Sequence, residues 1–217
     1  MAAIEISVAE QTVGTNETGR TIEFIRRNPT VVISASILAA MIFIAIFAPQ
    51  LATDPLELAP WQRLKPPGEF GLFGTDHLGR DVFARTIYGA RISLSVGLFV
   101  ALVSTAIGLF IGLLAGYVRI VDAVVMRIMD GLMAIPGILF AIALMALVGS
   151  SVQNVIIAIS VPEIPRVVRL VRAIVLTIRE MPYVEAAVAS GTRLPQILIR
   201  HILPNTFAPL MVQATYI

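Results

Sequence analysis

The chain has 217 residues, of which 57% are hydrophobic and 14% charged, with a formal net charge of +2 and a mean hydropathy of +0.88. Soluble domains carry roughly 25% charged residues, and one aqueous core of this size cannot hide so much apolar surface, so lipid is the expected solvent. The lack of cysteine excludes disulfides and thiolate metal sites, and the small basic excess points to basic loops on one membrane face, not to nucleic acid.

Residues 1–20 lack the basic n-region, apolar h-region and small-residue cleavage site of a signal peptide. Residues 1–29 read as a cytoplasmic tail. The first apolar run, 30–48, is uncharged and long enough to cross a hydrocarbon core of about 30 Å. Arg26 and Arg27 precede it, and Pro49 with Asp54-Pro55 ends it. Residues 49–91 form a Pro- and Gly-rich loop in which Trp61 and Phe70 suit an interfacial position. Thr75 or Asp76 can cap a helix starting near His77, and Asp81 and Arg85, four apart, can pair on it.

The second run, 92–118, is uncharged. Gly108, Gly112 and Gly116 recur every fourth residue and fall on one helix face, where two backbones can approach closely. The third run, 131–149, carries Pro136-Gly137 near its start, which should kink or loosen the first turns. The fourth, 151–175, is interrupted by Pro162, Glu163 and Pro165. Its Arg166, Arg169 and Arg172 are expected to face headgroups or water. A fifth run starts near Phe207 and reaches Ile217, too short to span a bilayer. The expected fold is an all-α polytopic transmembrane bundle of four full spans plus the start of a fifth.

Charge orients the bundle. Eleven of the sixteen Lys and Arg residues lie in segments 1–29, 118–130 and 163–205; the other five, with five acids, lie in 49–91. The bias places the N-terminus and residues 176–205 in the cytoplasm.

Between the fourth and fifth runs lies Tyr183–Asn205, YVEAAVASGTRLPQILIRHILPN. Pro182 suits a first helical turn, Glu185 suits the positive end of that helix, and Gly191 permits the positive φ that ends it. His201 to Asn205, with Pro204, reads as the entry of the next helix. Glu185-Ala186-Ala187 with Gly191 resembles the cytoplasmic coupling loop of permease subunits of ATP-binding-cassette importers, as does Tyr183 with the downstream His201, Pro204 and Asn205. In the outer loop, Gly74-Thr75-Asp76, then Gly79-Arg80-Asp81 and Arg85, followed by Gly89-Ala90-Arg91-Ile92-Ser93-Leu94, resembles the peptide and nickel branch of those permeases. Arg26-Arg27-Asn28-Pro29 and Arg63-Leu64-Lys65-Pro66-Pro67 resemble the N-terminal part of its second permease.

The resemblance implies a membrane subunit of the bacterial inner membrane, with a permease core over 92–217 and a coupling loop at 176–205. It implies that the 182–191 helix docks on a separate ATPase. It also implies four partners: a homologous permease, two ATPase subunits and an extracytoplasmic binding protein that delivers peptides, nickel or related small solutes. The outer motif is then a self-satisfied ion-paired turn or a contact for the binding protein. The chain should have no catalytic centre and no cofactor, since it contains no Gly-Lys-Ser/Thr phosphate loop. A metal site at His77 is disfavoured, because the other histidine, His201, belongs on the opposite membrane side. A secondary transporter is the alternative, with Glu163 as its one intramembrane ionisable candidate. Family members continue with further spans, so this sequence is expected to be shortened and unable to transport by itself.

Overall fold

A computed structural model describes residues 25–217, so most of the expected tail, 1–29, lies outside the described residues. The described residues are mostly helical, and their one strand-like feature is a single bridge between Thr75 and Asp81. Two compact units divide the chain at Ile92 and Ser93. The first contains α1 (Pro29–Ile46), the short α2 (Ala48–Leu51), a 3-10 turn at Pro60–Gln62 and the start of α3 (Val82–Tyr117). The second contains the rest of α3, then α4 (Arg119–Met133), α5 (Gly137–Val148), α6 (Val152–Ile178), α7 (Pro182–Ala189), α8 (Leu194–Ile197) and α9 (Leu203–Thr215). A π-helical stretch, Leu198–Ile202 (the π-turn), continues α8 into α9 without a break in the helix.

α1 has Pro29 in its first turn, where the missing N–H costs nothing, and Ala45 as its single buried residue. α3 is one helix of 36 residues, about 54 Å long at 1.5 Å per residue. Its start corrects the expectation of a helix from His77. Residues 75–81 close on themselves instead, and the Asp81 carboxylate accepts the Phe83 N–H at 2.9 Å to open the helix at Val82.

The second unit is built on the contact between α3 and α6. An added Cβ at Gly108, Gly112 or Gly116 would lie 2.5, 2.7 and 2.6 Å from the Cβ of Val167, Val171 and Val175 respectively. The valines are fully buried. Both series advance by four residues in the same order, so α3 and α6 run parallel. The chain between them must therefore return to the end where α3 began. α4 and α5 make that return, bent by 83° at Ala134–Pro136. Proline lacks the N–H that would continue α4 and restricts the residue before it, so the break falls at Pro136. The expected run 131–149 is thus divided between two helices.

α6 corrects a second expectation. It runs unbroken through Pro162 and Pro165. Ser151 caps it by accepting the Asn154 N–H at 3.1 Å. Each proline removes one intrahelical bond, which is tolerated where neighbouring helices enclose the segment. Pro165 is buried, and Pro162 packs beside Gly137 at the start of α5. Val167, Val171, Val175 and Ile178 continue into a core with Val184, Ile197, Leu198, Ile202 and Leu210, drawn from α7, α8, the π-turn and α9.

Among the described residues two helices, α1 and α3, are long and apolar enough to cross a membrane, or three spans if α4 and α5 count as one. α6 has the length, but Glu163, Arg166 and Arg169 fall within eighteen residues of its start. The fourth run expected from sequence, 151–175, thus forms one helix that carries the charges already visible in it.

The glycine face predicts a steep response to one methyl group. Gly112→Ala gains helix propensity but puts its Cβ 3.0 Å from the Val168 carbonyl oxygen as well as against Val171. Overpacking should dominate, at about 1–3 kcal/mol of destabilisation. Thermal unfolding of the purified chain in detergent measures it. Equal or higher stability of the alanine variant would mean the two backbones are not held this close.

Candidate functional site

The strongest candidate lies between α6 and α9. Met181 precedes Pro182 and leaves α7 free to start in a new direction. The N–H of Gly191 donates to the Val188 carbonyl at 2.9 Å and that of Thr192 to Ala187 at 3.1 Å. This pair of bonds is a Schellman cap, and it needs the positive φ of +76° at Gly191. α7 turns its apolar side inward: Val184 is 1% exposed and joins the core under α6 and α9. Its other face is open. Glu185 lies there in the first turn, exposed, and its carboxylate has no ionic or hydrogen-bonding partner among the described residues.

The chain then folds back, so that residues far apart in sequence meet. Asn205 donates through Nδ2 to the His201 carbonyl at 2.8 Å and to the Tyr183 hydroxyl at 3.3 Å. The Tyr183 and His201 rings lie 6.3 Å apart. Tyr183, Ala186, Ala187, Gln196, Arg200 and His201 line an open groove of about 640 Å³. Of the sequence candidates, Tyr183, Ala186, Ala187 and His201 form the groove, Asn205 ties its two sides, Gly191 ends its helix and Pro204 starts α9. Glu185 stands on α7 outside the groove lining. Sequence reasoning did not single out Gln196 as a site residue, and its signal was weak: a lone polar residue beside Pro195.

α6 connects to α4 through charges. Arg172 donates from Nε and Nη2 to both carboxylate oxygens of Asp122, the second at 2.6 Å, and Arg169 donates to Asp130 at 2.5 Å. Arg166 pairs within α6 with Glu163 at 2.8 Å. These bonds correct the expectation that all three arginines simply face headgroups or water. Arg179 donates to the Gly116 carbonyl at 3.3 Å, at the end of α3.

The Gly74–Arg85 motif is a separate construction. Asp76 is 12% exposed and accepts the N–H groups of Leu78 at 2.8 Å and Arg80 at 3.0 Å, the Arg80 Nε at 2.9 Å and an Arg85 guanidinium nitrogen. Arg85 therefore pairs with Asp76 and not with Asp81, as its spacing had suggested. Asp81 is occupied as the cap of α3. The Thr75 hydroxyl bonds the Gln62 carbonyl and accepts the Lys65 N–H. An added Cβ would fall 1.8 Å from the Ala59 oxygen at Gly79 and 2.4 Å from the Lys65 oxygen at Gly74, so backbone crosses backbone at both glycines. Partial burial pushes the Asp76 carboxyl up, but the two backbone N–H groups and the two guanidinium groups outweigh it and hold its pKa well below the usual carboxylate range.

The family model for the binding-protein-dependent transport system inner membrane component matches residues 104–216. A second, for the N-terminal TM domain of oligopeptide transport permease C, matches residues 20–67. The chain is 54% identical over 198 residues to a probable peptide ABC transporter permease protein, y4tQ, of Sinorhizobium fredii, covering 91% of this chain and 68% of that protein. It is 43% identical over 193 residues to the dipeptide transport system permease protein DppC of Alkalihalophilus pseudofirmus, covering 88% and 64%. It is 38% identical over 193 residues to the probable D,D-dipeptide transport system permease protein DdpC of Escherichia coli, covering 88% and 65%. The chain thus spans about two thirds of the length of these relatives.

The Asp76 cluster carries a pH prediction. A carboxyl with a depressed folded pKa stabilises the fold at every pH above its unfolded value near 4, and the effect fades only as pH falls through the lower folded value. Amide hydrogen exchange at Leu78 and Arg80 should stay protected from pH 7 down to pH 4, and Asp76→Ala should remove that protection already at pH 7. Wild-type amides that open between pH 6 and pH 5 would contradict the buried ion-paired carboxylate.

Proposed function

Because the chain belongs to the family of binding-protein-dependent transport system inner membrane components, we propose that it is a permease subunit of an ATP-driven peptide importer, coupled to its ATPase through α7. The family is a multi-pass inner-membrane component and not a catalytic subunit, so ATP hydrolysis falls to partner chains. The observation that carries the coupling reading is the two-sided character of α7. One side is locked into the core by Val184, and the other presents a small-residue groove with Tyr183 and His201 at its wall. Alanine side chains let a partner surface approach closely. A force on α7 would be felt by α6 and α9 through Val184, and by α3 through the glycine–valine contact. That is the rigid linkage an alternating-access movement requires.

The assembly we propose has a homologous permease, two ATPases and an extracytoplasmic binding protein. Relatives named for peptide and dipeptide transport favour peptide as cargo over nickel. A secondary transporter is not favoured: Glu163, its one candidate, is paired with Arg166. We place the N-terminus and residues 176–205 in the cytoplasm and 50–88 outside. The parallel run of α3 and α6, with α4 and α5 between, delivers α7 to the end at which α3 finishes.

Two experiments test this reading. In the assembled transporter, Gly191→Val should strain the cap by roughly 1–3 kcal/mol, and with Glu185→Lys it should lower substrate-stimulated ATP hydrolysis while membrane abundance persists. Stimulation at the wild-type level would remove α7 from the coupling path. For orientation, a membrane-impermeant thiol reagent added outside should label Glu69→Cys and miss Ser190→Cys; the opposite pattern would invert the topology.

A further inference from the structure

The ends of α3 and α6 enclose a second cavity, of about 390 Å³, on the end of the bundle that carries α7. Gly116, Arg119, Asp122, Arg172, Leu176 and Arg179 line it. Three arginines against one aspartate leave two positive charges in the lining. Asp122 is fully engaged by the two donors of Arg172. Arg179 gives one bond to the Gly116 carbonyl and lies 4.0 Å from Glu180, which is largely exposed at the rim. Arg119 is exposed and has no partner among the described residues. α4 starts beside it, and no side chain caps that start. Its free first-turn N–H groups favour an anion as the two guanidinium groups do.

The outer face of α4 adds the second half of the ligand. Ile120 is 81% exposed, and Val124 and Ile128, four and eight residues on, are more than half exposed. The acids Asp122 and Asp130 are drawn to the opposite side by α6. α4 is thus an amphipathic helix with an apolar stripe that begins at the mouth of a basic cavity. A cavity of this size holds a phosphate with its glycerol, and basic pockets between membrane helices suit anionic headgroups.

We propose that this cavity binds the phosphodiester headgroup of an anionic phospholipid, held by Arg119 and Arg179, with its acyl chains along Ile120, Val124 and Ile128. The Arg172–Asp122 pair shapes the cavity wall and is not itself the anion's main contact. A lipid in this place would bridge the start of α4 to the end of α6, immediately before α7.

Native mass spectrometry of the detergent-purified chain supplies the test, with phosphatidylglycerol, phosphatidylcholine and inorganic phosphate as probes. Wild-type chain should retain phosphatidylglycerol roughly tenfold better than phosphatidylcholine, and Arg119→Gln/Arg179→Gln should abolish the preference. A large molar excess of inorganic phosphate should leave the bound lipid in place; displacement would make the site one for a free anion and overturn the lipid assignment. Should the double variant not fold, Arg119→Gln alone removes no native contact and should still weaken retention. A second readout is the unfolding temperature, which should be higher in micelles with phosphatidylglycerol than with phosphatidylcholine, and equal in the two for the variant. Equal retention of both lipids by the wild type, or unchanged preference in both variants, would refute the proposal. So would loss of a partner permease from the assembled complex with lipid retention intact, since the arginines would then serve a protein interface.

Discussion

The second unit depends on how closely α3 and α6 approach. Three glycines in water would cost about 1 kcal/mol each in helix propensity relative to alanine, and membrane helices receive no hydrophobic reward for meeting one another. What offsets this cost is dispersion between flat backbone and the branched Cβ groups of Val167, Val171 and Val175, which needs atoms in contact along the whole face. The arrangement leaves no room for a side chain on the α3 side. It also orders everything downstream, because the buried face of α6 continues through Val175 and Ile178 into the core that holds α7, α8 and α9.

A rigid contact of this kind transmits displacement. α7 is eight residues long and cannot be a stable helix alone. It owes its place to Val184 and to the Schellman cap at Gly191. The groove beside it is therefore pre-formed, bounded by a helix whose Val184 packs into the same core as α6 and Ile202. The same α6 carries Arg169 and Arg172 to the acids of α4, so the bent α4–α5 pair is tied to the helix that leads into α7. Removing Asp122 or Arg172 alone would strand a charge in partly buried surroundings, which is costlier than the pair is stabilising, whereas the Arg169–Asp130 pair is exposed and contributes little.

The loop between α2 and α3 solves a different problem. A long Pro- and Gly-rich connection has few apolar residues to bury, and it holds its shape through polar satisfaction. Asp76 collects two backbone N–H groups and two guanidinium groups, Thr75 bridges Gln62 and Lys65, and Gly74 and Gly79 allow backbone to cross backbone. The arginines are committed to folding the loop. What remains outward is the turn itself, as a rigid surface.

Local chemistry is where the sequence spoke most clearly. An uncharged run reads as a membrane helix because lipid admits little else, so α1 and the body of α3 were legible. The glycine repeat marked a contact face because only close packing compensates three glycines. Pro182 and Gly191 bracketed α7 because one lacks a donor and the other tolerates positive φ. Tertiary structure decided what depends on partners distant in the chain. Asp122 and Arg172 are fifty residues apart and Asp130 and Arg169 thirty-nine, and no spacing rule links them. Arg85 chose Asp76 over Asp81 because the loop closed and Asp81 was needed as a cap. α6 ran through two prolines because packed neighbours held a helix that local rules would break. Tyr183, His201 and Asn205 met only because the turn at Gly191–Arg193 brought the helix that runs from α8 into α9 back against α7. Spans, caps and turn residues follow from short-range sterics and hydration, which sequence carries in full, whereas ion pairs, proline tolerance and the groove follow from which surfaces come together.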